Sequence, residues 1–197
     1  MGSINSPQVD KELNKSEQQR LLEIAKNAVE TYIETGKITG IEENGPNLNQ
    51  PNGAFVTLKE SGKLRGCIGT FFAPGGPTPG GESLYRVVIN MAIAAATQDP
   101  RFSPVSKSEL KNLEYEISVL NPLRKVGSWK EIEIGKHGVE IRRGGRNGVF
   151  LPQVATENNW DLNTFMSVLC SQKAGLPSDC WKDPETEIYV FTVQIVK

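Results

Sequence analysis

Ala54-Phe55-Val56-Thr57-Leu58-Lys59, then Glu60-Ser61-Gly62-Lys63, then Leu64-Arg65-Gly66-Cys67-Ile68-Gly69-Thr70-Phe71: these three consecutive segments decide the fold. Phe55, Val56 and Thr57 favour strand, the four middle residues read as a turn, and the last segment reads as a return strand, so the unit is a β-hairpin. Further along, Tyr115, Ile117 and Val119 alternate with Glu114, Glu116 and Ser118 as another strand, which Asn121-Pro122 ends. Val139 to Arg143 and Val149 to Val154 flank Gly144-Gly145-Arg146-Asn147-Gly148 and predict a second hairpin. Ile188, Val190, Thr192, Gln194 and Val196 share one face of a single final strand. Strands that outnumber helices and are mostly joined by hairpins point to an α+β fold, an antiparallel sheet with flanking helices, over a βαβ fold.

The helices follow from the 3.6-residue period. Residues 1 to 15 are polar and read as a flexible lead, after which Ser16 with Gln19 forms a capping-box pattern. Leu21, Leu22, Ile24, Ala25, Ala28, Val29, Tyr32 and Ile33 recur at helical spacing as far as Gly36. Residues 42 to 53 are dense in Asn, Gly and Pro and predict a long loop. Residues 73 to 81, Ala-Pro-Gly-Gly-Pro-Thr-Pro-Gly-Gly, predict another, because proline lacks a donor and glycine loses too much entropy on ordering. Leu84, Val87, Val88, Met91 and Ala95 give the next helix its apolar face, and Pro100 forces it to stop before Gln98-Asp99. Ser106 with Glu109 marks a short capped turn, and Leu162, Phe165 and Leu169 mark a helix that ends near Gly175. Residues 16 to 197 are expected to form one domain.

With 197 residues the chain buries about 70% of its unfolded surface and needs neither disulfide nor structural metal to fold. Its 22 Lys and Arg against 23 Asp and Glu leave a net charge of -1, which argues against a basic nucleic-acid coat and an acidic tail. The longest apolar run, Val87 to Ala96, is short for a membrane span and is broken by Asn90. Met1 to Arg20 lacks the apolar stretch of a signal peptide, so a cytoplasmic protein is expected. Cys67, Cys170 and Cys180, odd in number and widely spaced, fit reduced thiols in such a compartment.

Chemistry concentrates in Leu64-Arg65-Gly66-Cys67-Ile68-Gly69-Thr70. On a regular strand Arg65 and Cys67 share a face about 7 Å apart. An arginine beside a thiol favours the nucleophilic thiolate, which makes Cys67 a candidate nucleophile or ligand contact. Gly66 and Gly69 weaken a strand, and the usual reason is a bend or a close approach by another backbone or a ligand. The alternative makes Cys67 a small buried hydrophobe and the glycines shapers of a sheet edge. Asp99-Pro100-Arg101-Phe102 places an acid and a base round a rigid turn, either as a polar wall or as a local cap that offsets the helix dipole. Glu116 faces either solvent or a polar cavity.

The sole histidine, His137, pairs with Cys67 only if the fold brings the two together. With one histidine, no Cys-x-x-Cys and no His-Glu-x-x-His, no metal site is predicted. Gly144 to Gly148 lacks the Lys-Ser/Thr of a phosphate loop and reads as a hairpin tip. The neighbouring Arg142, Arg143 and Arg146 read as a solvated cluster rather than a nucleic-acid grip.

Gly53-Ala54-Phe55-Val56-Thr57-Leu58, Leu64-Arg65-Gly66-Cys67-Ile68-Gly69-Thr70, Asp99-Pro100-Arg101-Phe102, Glu116-Ile117-Ser118-Val119-Leu120, Leu151-Pro152-Gln153-Val154 and Lys173-Ala174-Gly175-Leu176 together resemble the ordered signatures of the AMMECR domain family, over about residues 16 to 197. The resemblance implies an α+β fold of two unequal lobes around a cleft near the signature residues. It also implies a setting, since prokaryotic relatives occur alone or fused to a Memo-like domain and a radical S-adenosylmethionine domain. It implies no settled activity and names no cofactor.

Two function classes follow. In one, the chain is an enzyme or enzyme component whose cleft is built from Arg65, Cys67, Asp99, Arg101 and Glu116, with Gly66 and Gly69 admitting a bound group and Cys67 at its centre. In the other, it is a non-catalytic module that docks on Memo-like or radical-enzyme partners through the same surface. The charges Arg65, Asp99, Arg101 and Glu116 stand beside apolar segments where an isolated charge is costly, so they are expected to converge and pair.

Overall fold

Asn14 opens the first helix. Its side-chain oxygen accepts the amides of Ser16 and Glu17, and the Glu17 carboxylate accepts the Asn14 amide in return. The cap therefore lies two residues before the expected Ser16, because a carboxylate at Glu17 answers an Asn14 cap more strongly than Gln19 answers Ser16. Helix α1 runs Lys15–Thr35 and ends on Gly36 in the left-handed region. Leu13, just ahead of it, is buried, and its main chain exchanges two hydrogen bonds with the Gln194 side chain. Leu13, Asn14 and Lys15 therefore belong to the fold. The computed structural model describes residues 12–38, 40–71 and 82–197. The expected loop at 73 to 81 and the start of the polar lead lie outside them.

Strands β1 (Ala54–Glu60) and β2 (Lys63–Thr70) form the predicted hairpin. Helix α2 (Leu84–Thr97) stops at Gln98, as proline requires of the residues before it. Ser83 gives α2 no side-chain cap. The carbonyls of Gln50 and Leu48 instead take the amides of Leu84 and Tyr85, so the turn-rich stretch from 42 to 53 serves as the N-terminal cap of α2. Strand β3 (Leu113–Leu120) pairs antiparallel with β1, and the order across this first sheet is β2-β1-β3-β8, where β8 is Val193–Val196. Val56, Leu58 and Ile117 point to the same side as the apolar faces of α1 and α2 and form one core with them. All of this except Val193, the first residue of β8, lies in one compact unit, Met1–Leu120 with Gln194–Lys197.

The second unit is Asn121–Val193. Its sheet has the order β4-β7-β5-β6, from β4 (Arg124–Lys125), β5 (Gly138–Arg143), β6 (Arg146–Phe150) and β7 (Glu187–Phe191). Helices α3 (Gln153–Glu157) and α4 (Leu162–Val168) accompany it, and α4 continues into a π-helical turn at Leu169–Lys173. Phe165, Met166 and Leu169 pack with Val139, Ile141 and Val190 in a separate core. Both sheets are antiparallel and both units carry helices, so the fold class is α+β as the sequence predicts.

Three expectations need correction here. Gly144 and Gly145 both adopt positive φ and close a two-residue turn, so β6 starts at Arg146, and residues after Phe150 turn into α3 rather than extend as strand. The single final strand is two strands in two sheets, divided at Thr192, whose main chain and hydroxyl are both held by Asn121. Cys170 and Cys180 are joined in a disulfide, so only Cys67 of the three cysteines is a free thiol.

Candidate functional site

The hairpin holds one irregularity, and it decides where Cys67 points. Glu60 opposes Lys63 and Lys59 opposes Leu64, but Leu58 opposes Gly66, so Arg65 is an extra residue without a partner on β1. Such a bulge shifts the alternation of side chains by one. Cys67 thereby comes opposite Thr57, and Thr57 is also opposite Glu116 on β3. Cys67, Thr57 and Glu116 form a row across three strands spaced about 4.8 Å apart, on the face away from α1 and α2. The Thr57 hydroxyl donates to the Cys67 sulfur at 3.3 Å.

The main chain of Cys67 is held as firmly as its side chain. Because β2 is an edge strand, its outward-pointing groups have no neighbouring strand to bond. Asp99 and Arg101 supply the missing partners. The Asp99 carboxylate accepts the Cys67 amide at 2.8 Å, and Arg101 Nη2 reaches the Cys67 carbonyl oxygen at 3.4 Å. Asp99 also accepts Arg101 Nε at 2.9 Å, Arg101 Nη2 at 2.7 Å and the Arg101 amide at 3.1 Å. Its side chain is 2% exposed, whereas that of Arg101 is 54% exposed. The Arg101 guanidinium, aided by the Cys67 and Arg101 amides, holds the Asp99 carboxyl well below the ordinary carboxylate range against the opposing effect of burial.

Arg65 leaves the bulge for a different partner. Its Nε lies 2.6 Å from Glu109, and its guanidinium carbon stands 6.0 Å from the Phe102 ring centre. The expected pairing of Arg65 with the thiol on a regular strand face is replaced by this contact, because the bulge breaks the alternation on which that expectation rests. Glu109 accepts Ser106's amide and hydroxyl as well, which confirms the short capped turn. These bonds, Arg65's foremost, lower the Glu109 carboxyl to about 2. A folded-state pKa below the unfolded value contributes stability that is complete above the ordinary glutamate range and is lost as pH falls toward 2. We expect acid unfolding of the Glu109→Gln variant to show a shallower dependence on pH between about 4.5 and 2 than the parent, measured by urea midpoints at stepped pH.

Glu116 is not free in solvent. Its Oε2 stands 2.8 Å from Lys59 Nζ and 3.1 Å from Lys197 Nζ. Burial raises its carboxyl, but the two ammonium groups outweigh that and the net shift is downward. The glycines are explained by close approach. A Cβ on Gly66 would fall inside 3.0 Å of the Ala95 carbonyl oxygen of α2, and one on Gly69 would meet the Phe55 ring within the same limit. The groups held against the main chain at these two positions are the protein's own backbone and ring.

The structure thus brings Cys67, Asp99, Arg101 and Glu116 around one stretch of the first sheet and sends Arg65 to Glu109. Thr57, Lys59, Glu109 and Lys197 were not among the sequence candidates. Thr57 had one available signal, its place in the hairpin, but the unpaired Arg65 must be known before Thr57 can be set opposite Cys67. His137 lies in the second unit, where its Nδ1 accepts the Glu133 amide at 3.1 Å. Arg142 pairs there with Glu140 and Arg143 with Asp183, while Arg146 donates to the Gly175 carbonyl. Among the described residues no cluster of three or more His, Cys, Asp or Glu is placed to hold a metal ion, and no helix is long and apolar enough to cross a membrane.

A Methanopyrus kandleri protein is 45% identical over 186 residues, covering 89% of this chain and 85% of its own length. A Nanoarchaeum equitans protein is 42% identical over 182 residues, covering 89% and 97% respectively. The crystal structure of a Pyrococcus horikoshii protein superposes with a TM-score of 0.75 at 37% identity, over 93% of this chain and 92% of that one. Residues 22–196 match the AMMECR1 family throughout, and they include every residue of the site except Lys197: the chain belongs to the AMMECR1 family.

Proposed function

We propose that the chain is an enzyme or enzyme component whose chemistry is centred on Cys67, as nucleophile or as direct ligand contact. The observation that carries this reading is the contact from the Thr57 hydroxyl to the Cys67 sulfur, made by a free and partly exposed thiol whose peptide is fixed on both sides by Asp99 and Arg101. The hydroxyl fixes the direction of the sulfur on the exposed sheet face, where a reacting group can reach it. Glu116 with Lys59 and Lys197 supplies a charged flank two strands away. The family resemblance supports a modification pathway shared with Memo-like and radical S-adenosylmethionine proteins as the setting.

A second reading is favoured by one specific observation. Arg65, Asp99, Arg101 and Glu116 are all paired within the chain, which is what a rigid docking module requires and a charged substrate does not. In that case the same sheet face binds a partner and Cys67 is a packing residue.

Alkylation separates the two. With Cys170 and Cys180 oxidised, iodoacetamide under native, non-reducing conditions reads Cys67 alone. We expect one equivalent of label, mapped to the peptide containing Cys67, and faster labelling at neutral pH than for the same cysteine in the denatured chain. Thr57→Val should slow it several-fold and Thr57→Ser should retain it. Labelling of Cys67 only after unfolding would end the nucleophile reading and leave the docking module.

A further inference from the structure

The Lys173-Ala174-Gly175-Leu176 signature has no part in the Cys67 site, and it lies between the two half-cystines of the second unit. Cys170 sits in the π-helical turn and Cys180 opens a short 3₁₀ turn that runs to Lys182. Their sulfurs are bonded across a separation of ten residues. Beyond the π-helical turn, residues 175–179 make few regular bonds. The Leu176 amide reaches the Cys170 carbonyl, the Cys180 amide reaches the Pro177 carbonyl, and Arg146 donates to the Gly175 carbonyl. Gly175 itself holds a positive φ. Past the π-helical turn, which closes with the Ala174 amide on the Leu169 carbonyl, these bonds form no helix or strand ladder, so over residues 175–179 the covalent link between the segment's ends is a principal constraint.

We propose that the Cys170–Cys180 disulfide is a redox clasp that sets the order of residues 169–183, and with them the signature segment, independently of the first sheet. This goes beyond the Cys67 reading and does not depend on it. In the oxidised chain the two ends of the segment are fixed, and Cys180 delivers Trp181 to the second core, where it meets Trp129 edge to face at 4.8 Å. Reduction breaks the sulfur–sulfur bond. Two electrons and two protons pass from a dithiol to the cysteines, and the dithiol closes to its own disulfide. The freed segment then regains its loop entropy, which for ten residues raises its opening equilibrium about a hundredfold. Both cysteines are buried, at 0% and 2% exposure, so an attacking thiolate must wait for the segment to open. The clasp should therefore yield slowly to a reductant in the native protein and quickly in denaturant.

The test uses the whole chain. Alkylation in denaturant without reductant should give one labelled cysteine, and after reduction three. Hydrogen exchange by mass spectrometry on oxidised, dithiothreitol-reduced and Cys170→Ser/Cys180→Ser protein should show protection across 169–183 falling by about a hundredfold on reduction. The β1–β3 amides should be unchanged, and tryptophan emission should rise as the neighbouring disulfide quencher is lost. If the double variant does not fold, the reduced and thiol-blocked parent carries the measurement. Three labelled cysteines without reductant, unchanged protection in 169–183, or loss of protection that extends to β1–β3 would each overturn the proposal.

Discussion

Gly66→Ala is expected to lower the unfolding free energy by about 3 kcal/mol or more, at the upper end of what overpacking costs. The added methyl group meets the Ala95 carbonyl oxygen, a backbone atom of a helix that is itself buried on nearly every side. No side chain can rotate to make room, so either α2 or β2 has to move. The alanine-rich stretch Ala92 to Ala96 fits the same requirement, since small residues let a helix backbone approach a sheet closely. Gly69→Ala provides the comparison. Its methyl group meets the Phe55 ring, which can swing on χ1 at the loss of its edge contact with Phe71, but also the Phe55 Cα at 2.6 Å, which no rotation relieves, so about 2–3 kcal/mol is expected there. Urea unfolding of the two variants beside the parent gives both numbers. A Gly66→Ala midpoint equal to the parent's would show that α2 does not lie against β2 as described.

Asp99→Ala should be nearly as damaging, at about 3 kcal/mol. The carboxylate is buried and accepts four hydrogen bonds, and its removal leaves the Cys67 amide without an acceptor at the sheet edge. Arg101 suffers less, because its half-exposed guanidinium can return to water, so Arg101→Ala should lose clearly less than Asp99→Ala. Asp99→Asn keeps an acceptor for the Cys67 amide and should fall between them. The same carboxylate imposes a pH dependence. With its pKa depressed in the folded state, its contribution is complete above the ordinary aspartate range and declines as pH falls below it, so the gap between parent and Asp99→Asn should narrow in acid. A gap constant from neutral pH down through the acid range would show that the charge of Asp99 carries none of the difference.

Local patterns resolved the elements whose causes are local. Alternation at Tyr115, Ile117 and Val119, the proline after Asp99 and the Ser106–Glu109 turn each depend on residues within a few positions, and each appears as read. The misread elements depend on distant partners. Ile188 to Val196 is one unbroken alternating run, and only the Asn121 bonds to Thr192 reveal that it serves two sheets. Gly144 and Gly145 close the second hairpin in two residues, although the polar run to Gly148 reads as a longer tip. At the site, the motif residues were legible as unusual, but their partners were not. Asp99 reads as a wall or a cap until the edge position of β2 is known, and Glu109, the residue that takes Arg65, belongs to a turn that reads as purely local. The two cysteines at 170 and 180 read as thiols because cysteine spacing alone carries no information on which sulfurs meet.

The unpaired Arg65 has a consequence for every substitution made in β2. Before it, the even-numbered Leu64 stands with Lys59 on the outer face; beyond it, the even-numbered Gly66 and Ile68 face the helices, and the odd-numbered Cys67 and Gly69 face outward. One odd residue thus reverses the parity of the strand. Had Arg65 paired regularly with Leu58, Cys67 would stand opposite Val56 and enter the apolar interior, leaving Gly66 opposite Thr57. Removing Arg65 would leave Cys67 opposite Thr57, whereas absorbing Arg65 into regular pairing would turn the thiol inward. Whether this cysteine can meet anything outside the protein is therefore settled by whether the residue at 65 bulges out of the ladder or pairs within it, before any question about its chemistry arises.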